Sequence, residues 1–393
     1  MRILVCFFLL LVMSTPMVVL GANPENEPDV AAQAAILMDA KTGRVLWEKN
    51  ARQPMAMAST TKIMTAVLAL ESGRTGETVT VSRTAAAAPK MKMNLTPGEE
   101  IRLGDLMLAL MLESSNDAAV AIAEHLAGSV AEFCVLMMEK AREIGAVDTV
   151  FETPSGLDTE NHHSTAYDLA LIAGYALNVP GFIELTNTPS ASFSSNKRSY
   201  SMVNKNRLLQ EYQGANGIKT GFTGKAGHCF VGAAKRGDMQ LISVVLASGW
   251  GDRGRAGKWI DTKAVLNYGF DNFAYETIIQ NENVAGTVAV TRSRTRELEY
   301  VYTTDLTLPL HKGEKGQVEV RINVPSSVLA PVSKGESIGK ASVFVKGQLL
   351  ASIDLTVTEE ALRHDFKTSL EKVINHWLSQ VAEQPVRLVL PEF

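Results

Sequence analysis

The stretch "PMAMASTTKIMTAVLAL", from Pro54 to Leu70, decides the fold because it combines an apolar helix with two polar side chains at its start. Its small and apolar residues predict a helix that is buried. Ser59 stands where a helix cap belongs, and Lys62 follows three residues later on the same side of the first turn. The pair is either a cap followed by a surface lysine or a nucleophile beside its base.

A lysine that acts as a base needs help from its surroundings. Free lysine has a pKa of about 10.4, whereas an efficient base has a pKa of about 7 to 8. The difference of about three pKa units corresponds to about 4 kcal/mol. The end of an exposed helix supplies only about 0.3 to 1 kcal/mol. The catalytic interpretation therefore predicts a second cation near Lys62, together with partial burial.

Two later motifs supply suitable residues. "ESSNDAAV" places Ser114 and Asn116 in a break between two apolar helical patterns, where side chains can project into a cleft or cap a helix. "NGIKTGFTGKAGHCF" places Lys219, Thr220 and Gly221 at the start of a strand pattern. Its glycines allow a ligand to approach the backbone closely. Lys219 is thus the candidate second cation.

The remaining sequence predicts two domains between two terminal segments. Residues 1–22 contain Arg2 followed by an apolar run, which is typical of a signal peptide, although a retained membrane anchor is the alternative. Residues 23–275 alternate strand patterns with helical patterns rich in Ala and Leu. Residues 276–358 contain only strand patterns and predict a small β-sandwich-like domain. Residues 359–384 carry an apolar stripe at helical spacing.

Composition argues against several classes of function. The net charge is −4 with both signs interspersed, which gives no electrostatic surface for nucleic acid. Cys134 and Cys229 lie in apolar runs, so we expect both to be buried, and one disulfide is possible. Neither cysteine has a second ligand at metal-binding spacing, and the adjacent His162 and His163 point in different directions. We therefore predict no metal site and no cofactor.

The three motifs in order, Ser-x-x-Lys, Ser-x-Asn and Lys-Thr-Gly, resemble those of the serine D-alanyl-D-alanine carboxypeptidases, the low-molecular-weight penicillin-binding proteins. The resemblance extends to "SGLDTENHHSTAYDLALI" and covers nearly the whole mature chain. It implies an α+β fold: a penicillin-binding/β-lactamase-like transpeptidase domain, with an antiparallel sheet flanked by helices, then the all-β domain and an amphipathic helix. One departure is Ser155, where the family often has His before Gly-Leu.

The resemblance implies a catalytic role for each residue of the first two motifs. Ser59 would attack the peptide carbonyl between two D-alanines, and Lys62 would be the general base. Ser114 would relay protons toward the leaving amine, and Asn116 would hold Lys62 and the substrate amide. The backbone N–H groups of Ser59 and Phe222 would form the oxyanion hole.

The resemblance also implies how the substrate would bind. Lys219 would add positive charge to the cleft, while Thr220 and Gly221 would align the substrate along the strand. Arg253, in "GWGDRGR", would bind the terminal carboxylate, although an ordinary surface arginine is the alternative.

The partners implied by the resemblance are the peptidoglycan stem peptide and β-lactam inhibitors. The helix at 359–384 would lie on the outer face of the cytoplasmic membrane, which places the protein outside the cytoplasm. Alternatively, its apolar stripe packs on the β-domain or on another protein.

Three other functions compete with this interpretation. A class A β-lactamase needs a deacylating glutamate, and Glu152 and Glu160 lie in the appropriate region but outside that family's Glu-x-x-Leu-Asn pattern. Gly249, Gly251 and Gly254 match a dinucleotide-binding motif, but no parallel strand follows the next helix. A non-catalytic wall-binding protein with the same fold is the third alternative, which intact catalytic positions argue against.

Overall fold

The computed structural model describes residues 27–364 and 366–382. The predicted signal peptide, residues 1–22, lies outside the described residues, as do the last two positions of the predicted terminal helix. The strands of the first domain are β1 Ala34–Asp39, β2 Val45–Lys49, β3 Thr78–Thr80, β4 Glu100–Arg102, β5 Ser190–Ser194, β6 Ser199–Val203, β7 Ala215–Thr223, β8 Gly227–Arg236 and β9 Met239–Leu246. Its helices are α1 Lys62–Glu71, α2 Arg83–Ala86, α3 Leu103–Leu108, α4 Asn116–Ala127, α5 Val130–Ile144, α6 Ala166–Ala176, α7 Phe182–Asn187, α8 Leu208–Glu211 and α9 Gly251–Asn272.

An antiparallel sheet in the order β2-β1-β9-β8-β7 forms the centre of this domain. β1, β8 and β9 are almost fully buried, which explains their nearly continuous apolar sequence. α9 packs on one face of the sheet, and α6 lies on the other, next to the helices around α1. β7 is left at the edge, where one side of its backbone is free to pair with an extended ligand.

Helix α1 starts later than the sequence suggests. The residues Ala58–Thr61 form a short 3₁₀ turn, and α1 begins at Lys62 with Thr61 in the cap position. Thr61 makes no capping hydrogen bond with its side chain. The interpretation of Ser59 as a helix cap is therefore wrong, because Ser59 lies in the turn before the helix. The expectation that the helix is buried is confirmed, since its residues from Lys62 to Val67 are all buried.

The second domain contains only strands apart from one short turn. They are β10 Phe273–Ile279, β11 Val284–Thr291, β12 Glu297–Tyr302, β13 Leu306–His311, β14 Val318–Asn323, β15 Ser327–Leu329, β16 Ser337–Val345 and β17 Gln348–Val357. One sheet has the order β14-β16-β17-β12-β11-β15, and β10 pairs separately with β13. Strand β14 alternates strictly in sequence yet is exposed on both faces, because it lies at the edge of its sheet.

The two domains meet at a polar contact. The guanidinium of Arg44 lies 2.8 Å from the carboxylate of Glu314, and the hydroxyl of Tyr275 donates a 2.6 Å hydrogen bond to Asp39. α9 ends at Asn272, directly before β10. The α+β architecture with a following all-β domain is as predicted, while the exact limits 23–275 and 276–358 stay predictions.

The terminal helix α10 spans Phe366–Ala382. Those of its apolar side chains whose exposure the structure describes are between 44 and 80% exposed; they are Phe366, Leu370, Val373, Ile374, Trp377 and Leu378. These side chains therefore do not pack on the β-domain. Among the residues that the structure describes, no single helix is long and apolar enough to cross a membrane; α4 and α5, bent by 84°, meet that test only as a pair.

Cys134 and Cys229 are buried, as the sequence predicts, and each is a free thiol. The disulfide that the sequence left possible is therefore not formed.

Candidate active site

The site is built around the turn that precedes α1. Ser59 is half-buried at the start of this turn, whereas Lys62 is completely buried. The Nζ atom of Lys62 lies 3.0 Å from Oγ of Ser59. A separation of three residues across the start of a helix brings both side chains to the same side, as the sequence predicts. The structure therefore places a hydroxyl against a buried amine.

Two further oxygens hold the amine of Lys62. It donates to Oδ1 of Asn116 at 2.8 Å and to the backbone carbonyl of Ser155 at 2.5 Å. The amide nitrogen of Asn116 is engaged elsewhere, with the carbonyls of Pro89 and Lys90. These contacts fix the amide so that its oxygen, which can only accept, faces Lys62.

The second motif forms a sharp turn between two helices. Ser114 has φ of 68°, in the left-handed region, and ends the wider π-type turn Ala109–Glu113 that follows α3. Helix α4 begins at Asn116, with Ser115 in the cap position and no capping bond from its side chain. Neither Ser114 nor Asn116 is therefore the N-cap of α4, although Ser114 occupies the cap position at the C-terminal end of the π-type turn. The turn leaves Ser114 half-buried beside the buried Asn116.

The third motif lies on the edge strand β7. A Cβ atom added at Gly221 would lie 3.2 Å from the backbone nitrogen of Ser59 and 3.1 Å from the carbonyl oxygen of Met57. The absence of a side chain at Gly221 thus allows β7 to approach the turn that carries Ser59. Lys219, two residues earlier, is 2% exposed, and alternation along a strand places it on the same face as Gly221.

Burial and positive charge tune both lysines. Burial, and then the ammonium of Lys219, hold the pKa of Lys62 well below its ordinary value, although the carboxylate of Asp117 opposes them. Burial lowers the pKa of Lys219 to about 7, with contributions from the charges of Lys205 and Lys258. The second cation that the catalytic interpretation requires is therefore present.

The remaining predicted residues lie at the margin of the cleft. Thr220 is half-buried on β7, and the side chain of Phe222 is 51% exposed, with its ring 4.3 Å from the ring of His228. Arg253 is exposed near the start of α9. Within the described ranges 27–364 and 366–382, the side chain of Arg253 makes no hydrogen bond and no ion pair, so the structure does not join it to the other site residues.

Sequence reasoning missed three features of the site. The carbonyl of Ser155 holds Lys62, but a backbone oxygen leaves no side-chain signal in a sequence. Gly156 has φ of +83°, and a Cβ there would lie 1.9 Å from the carbonyl oxygen of Ala58. Lys205, in "NKN", contributes charge beside Lys219. Gly156 and Lys205 are visible in the sequence, but the residues that they approach can be read only from the fold.

The glutamates considered for a β-lactamase mechanism are placed away from Lys62. The carboxylate of Glu152 is exposed and accepts hydrogen bonds from Thr159 and Asn161. Glu160 is also exposed. In the part of the chain that the structure describes, no three His, Cys, Asp or Glu side chains are grouped so that they could hold a metal ion.

Comparison with known proteins identifies the family of this chain. Residues 22–249 match the family described as D-alanyl-D-alanine carboxypeptidase. Residues 273–362 match the domain described as penicillin-binding protein 5, C-terminal domain. The chain is 31% identical over 353 residues to D-alanyl-D-alanine carboxypeptidase DacF of Bacillus subtilis, covering 88% of this chain and 90% of that protein.

A second relative and a solved structure extend the comparison. DacC of Escherichia coli is 33% identical over 355 residues, which cover 81% of this chain and 86% of DacC. Penicillin-binding protein 5 of Haemophilus influenzae has a TM-score of 0.74 and 29% identity, over 87% of this chain and 100% of that one. This chain therefore belongs to the D-alanyl-D-alanine carboxypeptidase family of penicillin-binding proteins, as the order of its three motifs predicted.

Proposed function

We propose that this enzyme removes the terminal D-alanine from peptidoglycan stem pentapeptides through an acyl-enzyme on Ser59. The observation that carries the proposal is the environment of Lys62, a buried amine within 3.0 Å of the Ser59 hydroxyl. Its lowered pKa favours the neutral form, which can accept a proton. An exposed lysine would stay protonated and could not act as a base.

The hydrogen bonds around Lys62 support a defined direction of proton transfer. A neutral amine has two N–H donors and one lone pair. The oxygens of Asn116 and Ser155 accept hydrogen bonds but cannot donate them, so they take up the two N–H groups. The lone pair then faces Oγ of Ser59 and takes its proton as Oγ attacks the substrate carbonyl.

The remaining steps use the other motif residues. The oxyanion formed by the attack accepts hydrogen bonds from the backbone N–H groups of Ser59 and Phe222. When the peptide bond breaks, the proton held by Lys62 passes through Ser114 to the leaving amine of D-alanine. Water then attacks the ester on Ser59 and gives a proton to Lys62. As the ester bond breaks, Lys62 returns this proton to Oγ of Ser59 and the shortened peptide leaves. The close approach of Gly221 to the Ser59 nitrogen supports this placement of the oxyanion.

The substrate lies along the free edge of β7 in this proposal. Thr220 and Gly221 align its backbone as an added strand. Lys219 attracts its terminal carboxylate, and Arg253 is proposed as a second cation for the same group. β-Lactams bind with the amide bond of their ring in the position of the substrate peptide bond, and Ser59 opens that ring to form an acyl-enzyme.

The proposal is tested with a synthetic stem pentapeptide and the corresponding tetrapeptide. We expect the enzyme to release one D-alanine from the pentapeptide, detected by mass spectrometry of both products, and to leave the tetrapeptide intact. A pentapeptide that ends in L-alanine is the control. Release of L-alanine at a similar rate would contradict a site that is specific for D-alanine.

Replacing Lys219 by glutamine tests the role of the second cation. Loss of the ammonium removes a charge that lowers the pKa of Lys62, so this pKa rises. Because the base must be neutral, we expect the acid limb of the acylation rate to move to higher pH by about one unit. The effect should be largest below neutral pH, since the pKa of Lys219 is itself about 7.

The measurement is the rate of labelling by a fluorescent penicillin over a range of about four pH units, centred on the Lys219 pKa of about 7. The control is Lys235→Gln, which alters an exposed lysine on β8 and should leave the profile unchanged. An acid limb that stays in place in Lys219→Gln would show that this lysine does not tune the base.

We also propose that the protein is exported and lies on the outer face of the cytoplasmic membrane through α10. The apolar run within residues 1–22 and the exposed apolar side chains of α10 support this location. The helix carries both acidic and basic residues, including Lys367, Glu371 and Lys372. Apolar contact, more than attraction to anionic lipid, would therefore provide the binding energy.

A chain that ends after His364 tests this attachment. It lacks α10 but keeps the backbone bridges of Ala361 to Val332 and of Arg363 to Ser293. We expect it to lose sedimentation with phospholipid vesicles while its rate of D-alanine release in solution stays unchanged. Trp377→Asp in the full chain should also lower the fraction of protein that sediments with the vesicles. Full vesicle binding by the shortened chain would rule out α10 as the attachment.

A further inference from the structure

A buried histidine lies behind the turn that carries Ser59. His162 is 3% exposed and takes no part in the proton transfers described above. Its Nδ1 atom accepts a 3.0 Å hydrogen bond from the backbone N–H of Glu152. Because a backbone N–H can only donate, Nδ1 carries no hydrogen and the ring hydrogen is on Nε2.

The Nε2–H group connects this histidine to the turn. It lies 2.8 Å from Oγ1 of Thr61 and donates to it. The hydroxyl of Thr61 in turn donates to the backbone carbonyl of Ala58 at 2.8 Å. The chain of donors therefore runs in one direction, from Glu152 through His162 and Thr61 to the residue immediately before Ser59.

The peptide bond between Ala58 and Ser59 connects this series of hydrogen bonds to the oxyanion hole. In a planar trans peptide the C=O and N–H groups point in opposite directions. Anchoring the carbonyl of Ala58 therefore fixes the direction of the Ser59 N–H, which is one proposed donor of the oxyanion hole. Ala58 has φ of 51°, a left-handed conformation that is unfavourable for alanine. The surrounding contacts must hold this conformation in place.

We infer that His162, neutral and with its hydrogen on Nε2, is a positioning residue that acts through Thr61 to aim the Ser59 N–H into the oxyanion hole. This inference rests on the proposed role of Ser59. We expect His162 to affect the rate of acylation and not the binding of substrate, because its ring is buried and contacts Thr61 of the turn.

The electrostatic surroundings keep His162 in the required form. Its pKa is lowered to about 4, mainly by burial; the charges of Glu152 and Asp158 oppose this effect, and those of His163 and Lys225 add to it. The ring is thus neutral at neutral pH. Protonation of the ring below a pH of about 4 would place a hydrogen on Nδ1 against the N–H of Glu152, so two donors would face each other.

Substitutions at His162 separate this role from simple packing. His162→Leu fills the site but carries no donor, whereas the amide of His162→Gln supplies one acceptor and one donor. We expect His162→Leu to slow acylation by a fluorescent penicillin about 10- to 100-fold, because misdirecting a donor costs up to the full loss of that donor. The dissociation constant of the non-covalent complex should change less than about 3-fold. His162→Gln should recover most of the rate.

Two further variants complete the test. His163→Leu is the control, since its ring contacts the carbonyl of Asn161 and not Thr61. Thr61→Val removes the hydroxyl that donates to the carbonyl of Ala58. This variant tests the inference if circular dichroism shows that His162→Leu is not folded. We expect Thr61→Val to acylate as slowly as His162→Leu and His163→Leu to acylate at the wild-type rate.

A folded His162→Leu or Thr61→Val that acylates at the wild-type rate would overturn the inference. So would equal slowing by His163→Leu, or a His162→Gln that is as slow as His162→Leu. Failure of the proposed function looks different, because the wild-type enzyme would then form no adduct on Ser59 at all.

Discussion

Ser59→Ala should abolish both D-alanine release and covalent labelling by penicillin, because it removes the hydroxyl that lies 3.0 Å from the Lys62 amine. The rest of the site stays in place, since Lys62 keeps its bonds to Asn116 and Ser155. We therefore expect the variant to bind substrate without converting it. Labelling by a fluorescent penicillin on a denaturing gel measures the first effect, and release of D-alanine measures the second.

The control for Ser59→Ala is Ser342→Ala, which alters a half-buried serine on β16 of the β-domain. It should label like the wild-type enzyme. A stable acyl adduct on Ser59→Ala would mean that another residue is the nucleophile.

Lys62→Met is expected to lower the rate of acylation by about 10²- to 10⁴-fold, the usual contribution of a general base. Methionine has a similar length and no charge, so it fills the buried site without acting as a base. The substitution leaves the oxygens of Asn116 and Ser155 without their donor, which costs about 1 to 3 kcal/mol for each unpaired group. Removing a buried amine offsets part of this cost.

Rapid mixing with a fluorescent penicillin gives the rate, and thermal unfolding shows whether Lys62→Met is folded. Lys235→Met, at an exposed position, is the control. A folded Lys62→Met that acylates within about 3-fold of the wild-type rate would remove Lys62 as the base.

The parts of the site that depend on local spacing could be predicted from the sequence. Ser59 and Lys62 are three residues apart, and such a separation at the start of a helix leaves little freedom in where the side chains go. The polar residues between two apolar helical patterns likewise predict a break there, from which the side chains of Ser114 and Asn116 can reach a cleft. Lys219 was predicted from the order of motifs, and the structure places it on the face of β7 that approaches Ser59.

The parts that depend on backbone atoms from distant segments could not be predicted. The carbonyl of Ser155 and the N–H of Glu152 both act at the site, but every residue has such groups and no pattern marks the important ones. The left-handed conformation of Ala58 is similarly invisible, because alanine rarely adopts it. The sequence offers His162 only as a possible metal ligand, because its partner Thr61 lies far away along the chain.

The fold shows the same division. Buried strands such as β8 and β9 are recognisable from their apolar runs. The exposure of β14 on both faces was not predictable, because alternation indicates a strand but not whether the strand lies at an edge. The start of α1 was also misplaced, since a 3₁₀ turn and the first turn of an α-helix have similar sequences.

Intact-protein mass spectrometry after exposure to benzylpenicillin, followed by peptide mapping, tests most directly whether an amine-activated hydroxyl is the reactive group. We expect a mass increase of one penicillin molecule on each chain, located on the peptide that contains Ser59. An adduct on any other residue, or an enzyme that remains unmodified while fully folded, would contradict it.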